Sequence, residues 1–267
     1  MGQFFEAIPG FIATWVLKQQ VFWVATAPLS ESGHVNISPK GGLYFGLVDD
    51  KTFWYMDLTG SGSETISHLY EPGNGRITVM FNAFEGPPRI LRLFGHGRVL
   101  EHATPAFDDF VKKHDVKTIP GARAIVLVDI HQVGTSCGYS VPYFDFKAYR
   151  NTLNEFFEKR VDKFVKGESD ESIEKYWAFK NAWSMDGLPA MHIAQKTGKE
   201  QGIAPMSKMV GPLAPQPGLY RKDRRFGAHH LVLVAMLSAL FTSLALLVGK
   251  QELRPVLLRR LAESLGL

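Results

Sequence analysis

Cysteine is almost missing: Cys137 is the only one in 267 residues. An internal disulfide is therefore excluded, and the chain suits a reducing compartment. Nine histidines are present, but none form His-x-x-x-His and there is no cysteine pair, so the chain carries no metal-binding pattern. The amino terminus lacks the Ser or Thr at position six that myristoylation favours. It also lacks a basic region leading into a clean apolar run, so no secretory signal is expected. Excess charge is missing from most of the chain as well. Eight of the 30 Lys/Arg but three of the 26 Asp/Glu lie from Leu219 onward, leaving 22 against 23 before it. The formal charge of +4 thus belongs to the tail, and nucleic-acid binding is not expected. No internal repeat is visible.

What is present is a succession of short apolar segments with turns between them. Residues 11–19 have the character of a short helix, and 21–27 (VFWVATA) that of a buried strand. After the turn at 31–33, residues 34–38 alternate and stop at Pro39. Residues 43–47, 53–56, 76–81, 90–100 and 122–131 supply further strands, and 106–114 a helix. Many strands joined by short turns predict an antiparallel barrel or sandwich with a few helices, a mainly β, α+β class.

The segment 59–69 (TGSGSETISHL) follows a strand and opens onto helical spacing at Ile66 and Leu69. Gly60 and Gly62 let backbone approach a ligand closely, and Ser61, Ser63 and Thr65 offer hydroxyls, so a phosphate is the natural guest. The same pattern also describes a plain turn with a Ser/Thr cap, and Glu64 would repel an anion. A dinucleotide-binding fingerprint is rejected, because the third glycine and the βαβ setting are absent. Lys40 follows a strand end and precedes two glycines, a cation beside flexible backbone; a solvated turn lysine is the alternative. Arg89 and Arg92, three apart at the start of a strand, point to opposite faces.

Residues 147–185 change to helical spacing, interrupted at 167–170. From 196 to 220 glycines and prolines recur, a linker composition. The 18 residues 231–248 carry no charge, long enough for a bilayer-crossing helix, for which about 17 residues suffice. Basic residues flank it on both sides, so the orientation is undetermined. A tail anchor with the large domain in the cytosol is the simplest topology. The expected boundaries are a domain over 1–190, a linker and basic flank over 191–228, a transmembrane helix over 229–249, and a short basic tail over 250–267.

Taken together, 21–28 (VFWVATAP), 34–42 (HVNISPKGG), 55–69 (YMDLTGSGSETISHL), 76–100, 136–146 (SCGYSVPYFDF) and 180–188 (KNAWSMDGL) resemble the pyridoxamine 5′-phosphate oxidase-like family of flavin-binding split barrels. The resemblance spans about residues 10–190 and is nearest the oxidase-like branch rather than the true vitamin B6 oxidases. It implies a six-stranded split barrel, a homodimer, and FMN at the dimer interface. By resemblance, Asn36, Ile37 and Ser38 line the flavin ring, Lys40 stands near its phosphate, and Tyr55, Ser61, Ser63 and Thr65 lie on the strand and turn approaching that phosphate. Arg89 matches an arginine beside the flavin. The family's Arg-Lys pair in the turn is Ser63-Glu64 here, which removes two cations. The Arg-x-His substrate motif has no counterpart, so pyridoxamine phosphate is not the expected substrate.

These readings predict a membrane-anchored FMN-dependent oxidoreductase acting on a small organic molecule. The alternatives are a non-catalytic protein holding flavin, deazaflavin or haem on the same barrel, and a dimerising scaffold. No side chain declares itself a general base; Tyr55, His68 and Tyr143 are candidates by type only.

Overall fold

Apolar residues alternating with polar ones build strands with one buried face. The elements run β1 (Gln3–Phe5), α1 (Gly10–Val16), β2 (Val21–Thr26), β3 (Asn36–Gly41), β4 (Phe45–Leu47), β5 (Thr52–Leu58), α2 (Glu64–Tyr70), β6 (Arg76–Asn82), β7 (Ile90–Glu101), α3 (Pro105–Lys113), β8 (Ala122–Ser136), α4 (Thr152–Val165), α5 (Ile173–Lys180) and α6 (His192–Gln201). This computed structural model describes residues 2–212, 214, 235–239, 260 and 264, in two units, Met1–Tyr220 and Arg221–Leu267.

The strands form one antiparallel sheet in the order β3-β2-β6-β7-β8-β5-β4, with β1 added alongside β8. Although β6, β7 and β8 separate β2 from β5 in that order, Phe22 of β2 meets Phe53 and Tyr55 of β5 at ring-centroid distances of 5.5 and 5.6 Å. The sheet therefore curls into a half-barrel around Phe22, Val79, Phe81, Leu91, Leu93, Val126 and Val128, with Ile12 and Val16 of α1 closing one end. The edges β3 and β4 do not pair with each other, so the barrel is split there.

Three expectations need adjusting. Strand β2 is not buried on both sides; Phe22, Val24 and Thr26 are buried and the alternate residues only partly, as in an antiparallel sheet with two different faces. Strand β3 does not stop at Pro39 but runs through it to Gly41. At a sheet edge a proline forfeits no ladder hydrogen bond. Strand β8 extends past His131 to Ser136 because β7 and β1 both pair with that end.

The linker expected from 191 also begins later, since 192–201 is helix α6. Its first amides are satisfied by the buried carboxylate of Glu101, which accepts from His192 N (2.7 Å) and Ile193 N (3.1 Å). Met191 and Ala194 pack with Ile66, Trp177 and Ala182, and Gly202, at φ 64°, ends the helix in a left-handed turn. Glycine composition indicated a linker, but the anchoring carboxylate lies 91 residues away. Beyond it, Met206 N donates to Phe179 O at 2.7 Å, which ties 203–210 to α5. Most of the uncharged run 231–248 and of the tail 250–267 lies outside the described residues, as do 215–228. Among the described residues no helix is long and apolar enough to cross a membrane.

Candidate functional site

At the split, residues of β3, the end of β5 and the loop between β3 and β4 enclose a cavity of about 640 Å³, with Tyr149, Arg150, Asn151, Leu153 and Asn154, before and at the start of α4, completing its wall. Lys40, Thr59, Gly60 and Arg150 line it together with apolar Leu43, Met56, Leu58 and Leu153. Among the described residues no Asp or Glu lines it.

Lys40 is aimed by a buried ion cluster. Its Nζ donates to Asp57 Oδ1 at 2.7 Å, while Arg123 Nε donates to Asp57 Oδ2 at 2.8 Å and its second nitrogen to Gly62 O at 2.6 Å. Burial pushes the Asp57 carboxyl upward, but the Arg123 and Lys40 charges outweigh it and hold it at about 2. Two cations share one carboxylate, so the cluster carries a net positive charge at the rim of the cavity. Only Lys40 of the three lines the cavity, which makes it the cluster's cation available to a ligand, alongside Arg150. Thr59 is fixed by donating to Gly121 O (2.7 Å) and accepting from Trp177 Nε1 (2.8 Å). Asn181 Nδ2 donates to Gly60 O at 2.8 Å, holding the turn open.

A second group joins β3 to α2. Asn36 Nδ2 donates to Thr65 Oγ1 at 3.1 Å and Ser38 Oγ to Asn36 Oδ1 at 3.3 Å, while Ile37 points outward and is exposed. The structure thus gathers Asn36, Ser38 and Thr65 in one row and Lys40 with Thr59–Gly60 in one cavity.

Other expected site residues lie elsewhere. Tyr55 is in the barrel core, fully buried, and its hydroxyl has no partner among the described residues; burial raises its pKa well above the ordinary value. Arg89 stacks over Phe11 and Trp15 of α1, with centroids 5.9 and 5.2 Å away. Ser61 is exposed at the surface. Ser63 is buried, donating to Trp183 O and accepting from Lys208 Nζ, both at 2.9 Å. The Ser63 amide at the head of α2 is already spent: Glu64 folds back to accept from it (2.8 Å) and from the distant Met185 N (3.0 Å). Of the acid-base candidates, His68 is buried with Nδ1 against Thr26 Oγ1 at 2.9 Å, and desolvation lowers its pKa. Tyr143 is exposed.

Sequence reasoning passed over Asp57, Arg123 and Lys208. The first two had a signal, a lone charge inside an apolar strand, which is rarely buried unpaired. Lys208 had none, since it sits among prolines and glycines. An ammonium facing outward, a net-positive cluster behind it and apolar walls beside it suit a flat ligand with an anionic end. A phosphorylated flavin fits that donor set.

Residues 8–137 match the family model described as pyridoxamine 5′-phosphate oxidase. The chain is 39% identical over 210 residues, 73% of its length and 80% of the relative's, to the Aspergillus flavus pyridoxamine 5′-phosphate oxidase family protein ustO. Solved structures with similarity include HupZ of Group A Streptococcus, at 21% identity and TM-score 0.36, covering 47% of this chain and 92% of that one. Another is an FAD binding protein from Mycobacterium smegmatis, at 13% identity and TM-score 0.33, covering 49% of this chain and 97% of that one.

Proposed function

The chain belongs to the pyridoxamine 5′-phosphate oxidase family, and from that premise we propose that it is a flavin-dependent oxidoreductase that holds FMN at the split of its barrel and acts on a small organic molecule. The observation carrying this reading is that Lys40 at the end of β3 and Thr59–Gly60 just past β5 line one cavity, with no carboxylate among its described lining residues. In this reading Lys40 holds the phosphate, with Asp57 and Arg123 fixing its direction, and the row Asn36, Ser38 and Thr65 supports the ring's side of the site. Bound FMN would supply hydride acceptance at its N5 and return the electrons to oxygen or another acceptor. Apolar Met56 and Leu58, with the more exposed Leu43 and Leu153, offer the cavity an apolar wall for the flat part of such a ligand.

The visible spectrum of the purified protein tests this. Flavin bands, or uptake of added FMN, are expected, followed by bleaching with a nicotinamide reductant and reoxidation by an acceptor. A colourless protein that takes up no FMN overturns the reading. One observation favours a non-catalytic carrier on the same barrel: Tyr55 and His68 are buried and neither lines the cavity. Steady turnover of an acceptor separates the two.

The proposal extends to a homodimer and to membrane attachment through 231–248. The uncharged run supports the attachment. The exposed apolar side chains of Val35, Ile37 and Leu43, on and beside the edge strand β3, support self-association.

A further inference from the structure

Glu64 opens α2 four residues after Gly60, which lines the Lys40 cavity, and so brings a carboxylate to the segment leading away from that cavity. It is held inward, but its charge remains. Lys40, Arg123 and Asp57 sum to one positive charge, and Glu64 cancels it. The balance is restored from a distant part of the chain. Lys208, on the segment after α6, inserts its Nζ 2.7 Å from Trp183 O, 2.9 Å from Ser63 Oγ and 3.8 Å from Glu64 Oε1. Its side chain is 9% exposed, an uncommon position for a lysine without a purpose in charge or packing.

We infer that Lys208 is the positioning residue that lets the Lys40 cavity accept a phosphorylated ligand, supplying from the C-terminal segment the positive charge that Glu64 takes away. The inference rests on the flavin reading above. Burial lowers the Lys208 ammonium to about 8, with Glu64 opposing and Arg123 and Lys180 adding to the shift, so it is still mainly charged at neutral pH. With Lys208 the five groups carry one net positive charge; without it they carry none. At an effective dielectric of about 20, a unit charge about 12 Å from a phosphate alters affinity about tenfold. A ligand lacking the phosphate feels no such change.

Fluorescence titration of the full chain with FMN and with riboflavin tests this, because the two differ only in the phosphate. K208M is expected to weaken FMN about tenfold while leaving riboflavin unmoved. K208R is expected to keep the wild-type preference, and E64Q added to K208M to restore it. An FMN-to-riboflavin preference in K208M equal to wild type overturns the inference. Should K208M not fold, E64Q alone carries the test: it is expected to tighten FMN about tenfold, and an unchanged preference overturns the inference. Wild-type protein that takes up no FMN overturns both this and the flavin reading, whereas wild-type uptake with an unmoved preference overturns this one alone.

Discussion

Asp57 has no exposed surface, and its two cationic partners hold its charge against the cost of burial. Asp57→Asn leaves Lys40 and Arg123 without their shared counter-charge, and removing one partner of a buried ionic cluster costs about 3–5 kcal/mol. Urea denaturation is expected to show that loss. The acid limb follows from the same group. Its folded pKa, about 2, lies below the ordinary 3.8. It therefore stabilises the fold fully above 3.8 and loses that contribution as pH falls towards 2, on the order of 2 kcal/mol in all. His68 acts in a milder window. Burial lowers its pKa from 6.5, so the folded state keeps it neutral and stability is complete above 6.5. As pH falls below that value the unfolded chain takes up the proton first and stability declines. Melting temperatures at pH 7.5 and 5.5 are expected to differ less in His68→Gln than in wild type. At this scale Lys40 and Thr65 could be singled out because a cation or a hydroxyl near glycines announces itself, whereas Asn36 came only from the family resemblance. Asp57 and Arg123 were hidden in strands that were otherwise apolar, and only their pairing across β5 and β8 gave them meaning.

Among the elements, the pairing of β7 with β8 is the most exacting. Its register shifts between Phe94 and Gly95, and a Cβ on Gly95 would stand 2.5 Å from the Asp129 carbonyl oxygen. Backbone cannot yield as a side-chain tip would. Gly95→Ala is expected to cost at least about 1–3 kcal/mol, read by urea denaturation. Helix α6 depends on one residue from β7. Glu101 accepts two of its first amides and the Tyr70 hydroxyl (2.8 Å). Glu101→Ala strands those donors in a partly buried place, a loss of about 1–3 kcal/mol. Amide exchange is expected to accelerate in 192–201 before it does in the barrel strands. Most strands and helices were legible from period and turn residues. Strand β3 was cut short at Pro39, and α6 was read as linker, because edge position and a remote carboxylate are properties of neighbours.

For the whole molecule, the proposed membrane attachment predicts that the full chain stays with the membrane fraction through an alkaline carbonate wash and leaves it in detergent. Release by carbonate alone would sink that reading. The proposed dimer predicts twice the chain mass of 29.8 kDa by light scattering in detergent, after subtraction of the micelle. Ile37→Glu, on an exposed face of β3, is expected to return the protein to one chain.

The strand succession, the near-absence of cysteine, the confinement of excess charge to the tail and the uncharged run near the end were determined by sequence alone. Each follows from composition or from local periodicity, which neighbours in the chain suffice to express. The cavity at the barrel's split, the Lys40–Asp57–Arg123 cluster, the inward fold of Glu64 and the arrival of Lys208 were decided by tertiary structure. These depend on which groups a curled sheet brings together and on where burial makes a charge find a partner, and no local pattern records that.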